Sequence, residues 1–166
     1  IEIMKVDALE DEGKKISSSR IRNLITEGNI MKANKYLGYE YFINGVVIPG
    51  EKIGRTLGFP TANIHVIEKE KLIPKKGVYA VKIKVDGIEY PGMLNIGVRP
   101  TVSSNFETNI EVHVINFSGD LYKKIIHIDF VQFIRDEIKF DNKDQLIKQL
   151  YSDKETALSL LKKYQA

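Results

Sequence analysis

From Tyr39 to Ile134 the apolar residues recur at every second position, in short runs broken by glycine-bearing turns, a period that predicts strands for that stretch. The sharpest instance is Val78 to Val85, followed by Asp86-Gly87, a dipeptide that favours two-residue hairpin turns, and by a returning run from Ile88 to Ile96. Pro91 lies inside the returning run and predicts an edge or a bulge there, because proline has no N–H to give to a ladder. Candidate strands also cover Glu40 to Ile48, a short segment after Pro60, Asn109 to Phe117, and Ile125 to Ile134, the last two joined through Ser118-Gly119-Asp120. Five or six strands followed by a helical segment predict a mainly β fold, a small barrel whose closure removes exposed edges.

Both flanks have a helical period instead. Ser17-Ser18-Ser19 is able to cap a helix, Arg20 to Glu27 reads helical and is closed by Gly28, and Ile30 to Leu37 ends at Gly38. Near the other end, Leu146, Ile147, Leu150 and Tyr151 share one face. Ser152-Asp153-Lys154-Glu155 then reads as a capping box before Ala157, Leu158, Leu160 and Leu161. Residues 1 to 7 alternate like a short strand from Ile1 onward, so the chain is expected to begin inside a longer protein.

A length of 166 residues fits one domain plus a fragment of another. With no cysteine there are no disulfides, thiolate nucleophiles or Cys-ligated metals, so any metal is held by oxygen or histidine. A net charge of +3 is too small to imply a nucleic-acid partner by itself. No apolar stretch reaches the ~18 residues that span a bilayer, and a cytoplasmic location without a membrane partner is expected.

The chemistry concentrates in Gly50-Glu51-Lys52-Ile53-Gly54-Arg55-Thr56-Leu57-Gly58-Phe59-Pro60-Thr61-Ala62-Asn63. Glycines let backbone N–H groups approach an anion, and Lys52 and Arg55 add charge. The Thr61 hydroxyl and Asn63 amide oxygen are spaced to share a hard cation such as Mg²⁺. No Gly-Lys-Ser/Thr closes the stretch as in a Walker A loop, and no helix is expected after it as in a dinucleotide fingerprint. Residue types alone leave two readings open, a phosphate-binding loop and an ordinary glycine-rich connection ending in a Pro-Thr turn.

The segment from Gly54 to Asn63 resembles the signature of riboflavin kinases. The likeness continues in order through Gly77-Val78-Tyr79-Ala80, Asn95-Ile96-Gly97-Val98-Arg99-Pro100-Thr101, Glu111-Val112-His113, Asp120-Leu121-Tyr122, and Phe133-Ile134-Arg135-Asp136-Glu137-Ile138-Lys139-Phe140. The resemblance implies a six-stranded antiparallel Greek-key barrel with a C-terminal helix, preceded here by a short helical lead-in. Ile16-Ser17-Ser18-Ser19-Arg20-Ile21-Arg22 is similar to the last signature of the adenylyltransferase module in bifunctional bacterial FAD synthetases. Residues 1–38 are therefore expected to be a remnant of that module and linker, and residues 39–166 the kinase domain. The module's early nucleotide-binding histidines have no counterpart, since the only histidines are His65, His113 and His127, so FAD synthesis is expected only in the longer parent protein.

The activity this implies is transfer of the γ-phosphoryl of ATP to the terminal ribityl hydroxyl of riboflavin, giving FMN and ADP with Mg²⁺ or another divalent cation. The implied partners are the small molecules riboflavin and ATP. By the same resemblance Thr61 and Asn63 hold the metal, and Gly54, Arg55, Gly58, Phe59, Thr61 and Asn63 bind the nucleotide. Glu111 is the catalytic base, and Arg135 and Glu137 approach the flavin. Alternation puts Glu111, His113 and Ile115 on one strand face and Ile110, Val112 and Val114 on the other. Taken alone, a strand glutamate such as Glu111 is more often a solvated surface residue, and Arg135 is equally a strand-end cation paired with Asp136 or Glu137. His113 and His127 lack a third ligand and read as polar strand residues. Lys123 and Lys124 depart from the glycine usual in the family after Asp-Leu-Tyr, which puts the local turn geometry in question. The segments 50–58 and 98–108 are expected to be mobile loops. Two rival classes are an RNA- or nucleotide-binding barrel and a flavin or nucleotide sensor. Against the first, basic and aromatic residues do not interleave as a stacking platform; against the second, a sensor needs no proton acceptor at Glu111.

Overall fold

A computed structural model describes residues 9–50, 53–100 and 106–163. The strand expected over residues 1 to 7, Lys52, and residues 101–105 of the expected mobile segment lie outside the described residues. The polar stretch from Glu10 to Lys15 forms a small hairpin of β1 (Glu10–Asp11) and β2 (Lys14–Lys15). Helix α1 (Ser18–Thr26) begins where the Ser17 side chain accepts from the Arg20 N–H, and α2 (Ile30–Leu37) where Asn29 accepts from the Lys32 N–H. Gly38 ends α2 in the left-handed conformation, φ 78°.

Six strands follow: β3 (Phe42–Ile48), β4 (Ala62–Val66), β5 (Gly77–Val85), β6 (Ile88–Pro100), β7 (Phe106–Val114) and β8 (Ile125–Arg135). They close into an antiparallel barrel in the order β3-β4-β7-β6-β5-β8, with β3 pairing β8. The meander β5-β6-β7, with β8 returning beside β5, is a Greek key. Asp86 and Gly87 both take positive φ, 51° and 83°, as a tight hairpin requires. Strand β6 is not an edge, since it pairs with β5 and β7. Pro91 is tolerated for a different reason. Its carbonyl accepts from Ile115 N (2.8 Å) just beyond the end of β7, so the missing N–H falls where the ladder has stopped. The departure at Lys123 is absorbed by left-handed backbone, φ 63°, a conformation usually left to glycine.

Alternate strand residues fill the barrel, with Ile43, Leu94, Val112, Ile126, Ile128 and Phe130 fully buried. The lead-in helices close one part of this core. Ile25, Ile30 and Ala33 join the same cluster, while Asn34 donates to the Phe130 carbonyl (2.8 Å) and accepts from Tyr41 N (2.8 Å).

The C-terminal segment is one continuous helix, α4 (Lys143–Lys163), capped by Asn142 accepting from Gln145 N (3.0 Å). Ser152-Asp153-Lys154-Glu155 therefore lies mid-helix and does not open a new one. Leu146, Leu150, Ala157 and Leu161 recur at helical spacing across it, and packing against the sheet carries the helix through. Phe59, Ala80, Met93, Val131, Ala157 and Leu161 form a second apolar cluster between α4 and the outer face of the barrel.

Candidate active site

The register of the barrel brings the site together. Asn63 of β4 stands opposite Glu111 of β7, Glu111 opposite Asn95 of β6, Asn95 opposite Val78 of β5, and Val78 opposite Arg135 of β8. Directly opposed residues point to one face. Here it is the outer face, because the neighbouring Val112, Leu94 and Tyr79 fill the interior. The row borders a cavity of about 360 Å³ beneath α4, walled by apolar side chains that include Leu57, Phe59, Ile138, Phe140 and Leu150.

Glu111 is held from two sides. Asn109 Nδ2 donates to Oε1 at 2.7 Å, and the Thr61 hydroxyl donates to Oε2 at 3.1 Å. Thr61 follows a loop that contains the single turn α3 (Ile53–Thr56) and doubles back, Phe59 N donating to the Gly54 carbonyl at 2.8 Å. A Cβ on Gly54 would collide with the Phe59 carbonyl, so glycine there is a steric requirement. Asn63 is buried, and its Oδ1 has no hydrogen-bond partner among the described residues. Gly50 leaves the space beside it, since a Cβ there would collide with Asn63 Nδ2.

His113 lies two residues beyond Glu111 on the same strand face. Its Nδ1 is 2.8 Å from the Pro60 carbonyl, which can only accept, so Nδ1 carries the proton and donates. The ring meets Phe59 edge-on, centroids 5.3 Å apart, and Phe59 meets Tyr151 of α4 in the same way at 4.9 Å. Burial lowers the His113 pKa; its hydrogen bond to Pro60 opposes this, and Lys154 adds a smaller lowering. His113 thus fixes the carbonyl immediately before Thr61.

Arg135 pairs with Asp153 of α4, its Nη2 2.7 Å from Oδ2, and its Nη1 donates to the Asp136 carbonyl at 2.9 Å. Glu137 accepts from Asn95 Nδ2 at 3.4 Å. A second cavity, about 610 Å³, opens on the other side of Thr61 and Asn63, bordered by Gly50, Arg55, Gly119 and Tyr122 among others. Thr61 and Asn63 border both cavities.

Of the residues singled out from the sequence, Gly54, Phe59, Thr61, Asn63, Glu111, Arg135 and Glu137 gather on the cavity beneath α4. Arg55 faces the second cavity, and Gly58 is an exposed turn residue at φ 80°. His127 is hydrogen-bonded to Asn44 and Asp129, as a polar strand residue would be. Asn95, Asn109, Asp153 and the contact from His113 were missed. A signal existed for Asp153, a charge set on the apolar stripe three residues after Leu150 and four before Ala157.

A family model described as Flavokinase: Riboflavin kinase matches residues 37–161. The bifunctional riboflavin kinase/FMN adenylyltransferase of Listeria monocytogenes is 46% identical over 154 residues, covering 93% of this chain and 49% of the relative. The chain thus spans about half the length of the curated relatives it matches. Among solved structures, one described as a macrolide-efflux protein from Streptococcus pneumoniae superposes with a TM-score of 0.86 at 38% identity, covering 92% of this chain and 49% of that one. The riboflavin kinase of Trypanosoma brucei shares the fold, with a TM-score of 0.53 at 22% identity, covering 75% of this chain and 81% of that one. No helix among the described residues here is long and apolar enough to cross a membrane. With a family match that runs from the end of α2 almost to the end of α4, and a register that assembles the signature residues on one face, the chain belongs to the flavokinase (riboflavin kinase) family.

Proposed function

We propose that this chain transfers the γ-phosphoryl group of ATP to the terminal ribityl hydroxyl of riboflavin. The observation that carries the reading is the Thr61–Glu111 hydrogen bond at the junction of two cavities. The cavity beneath α4 has the size and apolar walls suited to a flat heteroaromatic ring, with Asn95, Glu111 and Glu137 among its polar groups. The cavity bordered by Gly50 and Arg55 takes ATP, so the two substrates meet at Thr61, Asn63 and Glu111.

Phosphoryl transfer demands positioning and charge neutralisation more than covalent chemistry. Glu111, steadied by Asn109 and Thr61, orients the ribityl hydroxyl and accepts its proton as the oxygen bonds to the γ-phosphorus and the bond to the β-phosphate oxygen breaks. His113 holds the Pro60 carbonyl and so fixes the turn that presents Thr61. Thr61 and the unpartnered Asn63 Oδ1 are hard oxygen donors that fit Mg²⁺ or another divalent cation. Among the described residues no three His, Asp or Glu side chains converge as a metal cage, which suits an ion shared with the nucleotide. Such a cation, when bound, neutralises phosphate charge. Helix α4 and the segment after β8 keep water from competing with the hydroxyl.

In this reading residues 39–166 are the kinase domain and residues 1–38 derive from a preceding adenylyltransferase module and linker, with FAD synthesis confined to a longer parent protein. The ligands are riboflavin and ATP, without nucleic-acid or membrane partners, and the location is cytoplasmic. The absence of cysteine agrees with a reducing compartment, and a net charge of +3 is too small to imply a nucleic-acid partner. Incubating the purified chain with riboflavin, ATP and Mg²⁺ tests the reading. FMN and ADP should form together and require the cation; flavin and nucleotide binding without FMN would reassign the fold to a sensor.

A further inference from the structure

Asp153 is the most buried carboxylate among the described residues, 2% exposed, and it sits on the apolar stripe of α4. A buried carboxylate is costly unless its acceptors are filled. Here they are: Arg135 Nε lies 2.9 Å from Oδ1 and 3.1 Å from Oδ2, Arg135 Nη2 lies 2.7 Å from Oδ2, and Gln149 Nε2 donates to Oδ1 at 2.8 Å. The other arm of the guanidinium, Nη1, donates to the Asp136 carbonyl at 2.9 Å. Asp136 is the first residue beyond β8, and Glu137, Ile138 and Phe140 after it form one wall of the cavity beneath α4. A continuous path therefore runs from α4 through Asp153 and Arg135 to the backbone of that wall.

We propose that Asp153 is a positioning residue for the flavin side of the site: by fixing Arg135 it holds residues 136–140 where they receive the ring of riboflavin. The role rests on the riboflavin kinase reading above. It gives Arg135 a structural task, aiming the wall through the Asp136 carbonyl.

The test measures riboflavin binding without ATP, from the quenching of flavin fluorescence, alongside steady-state kinetics and thermal melting. Asp153→Asn keeps the shape but leaves Arg135 facing a neutral amide. Its Kd and KM for riboflavin should rise about tenfold or more, as expected for weakening a charge-assisted pair, while kcat and the KM for ATP stay within about threefold. Gln149→Ala removes one bond and should raise the riboflavin Kd by about two- to fivefold. Arg135→Met combined with Asp153→Leu replaces the pair by apolar side chains and should recover the melting temperature but not riboflavin affinity, because the Asp136 carbonyl has lost its donor. Recovery of affinity together with melting temperature would mean the pair acts through stability alone and would overturn the proposal. So would an unchanged riboflavin Kd in Asp153→Asn or, should that variant not fold, in Gln149→Ala. A wild-type chain that binds no riboflavin would instead overturn the kinase reading and this proposal with it.

Discussion

The role proposed for Glu111 depends on its neighbours, since Thr61 and Asn109 hold both of its carboxylate oxygens. Glu111→Gln should keep ATP binding and lower turnover by roughly 10²- to 10⁴-fold, measured as initial FMN formation at saturating substrates. Gly50→Ala should lower the melting temperature and weaken cation-dependent ATP binding together, because the added methyl would collide with the buried Asn63 side chain and displace it. His113 makes a pH prediction. Burial holds its pKa below the ordinary value of 6.5, so the folded chain resists its protonation and the unfolded chain does not. Stability is full above about pH 6.5 and falls as the pH drops through the lowered folded value. His113→Asn retains an N–H for the Pro60 carbonyl and should flatten that part of the stability profile relative to wild type in urea titrations across pH. At this scale Thr61, Asn63 and Glu111 were legible because their order along the chain is itself the signal. Asp153 was not, because Ser152-Asp153-Lys154-Glu155 has a local explanation as a cap, while its partner Arg135 lies 18 residues away.

At the scale of elements, boundaries were legible where a serine or glycine sets them locally, as at Ser17 and Gly38, whereas the Asn29 cap of α2 was not read from the sequence. Strands followed from alternation, and the Asp86-Gly87 hairpin from its φ requirement. Pro91 illustrates what alternation leaves out: whether it needs an N–H depends on where β7 ends, a property of a strand that comes later in the chain. The continuity of α4 likewise comes from the sheet beneath it. Helix α2 is more than a connector, since Ile30 is 1% exposed within the barrel core and Asn34 bonds to both β8 and the residue before β3. Ile30→Ala should cost about 2–5 kcal/mol. Asn34→Ala should cost about 1–3 kcal/mol by leaving the Phe130 carbonyl and Tyr41 N–H unpaired. Denaturant midpoints check both, with unchanged m-values expected.

The whole molecule has a simple division of labour: an apolar interior fixes the register, and the register carries a row across five strands on the outer face, polar on β4, β7, β6 and β8 and apolar at Val78 on β5. Closure of the barrel was foreseeable from strand count, but the row was not, because it depends on pairings between strands far apart in the chain, such as β4 with β7. The result is two cavities that meet at Thr61 and Asn63, with Glu111 facing the one beneath α4. The most direct test of that arrangement follows radiolabel from ATP into product. With ATP labelled at the γ-phosphate, the label should appear in FMN in step with ADP, while ATP labelled at the α-phosphate should leave FMN unlabelled. Release of the γ-label as inorganic phosphate with riboflavin unchanged would contradict it.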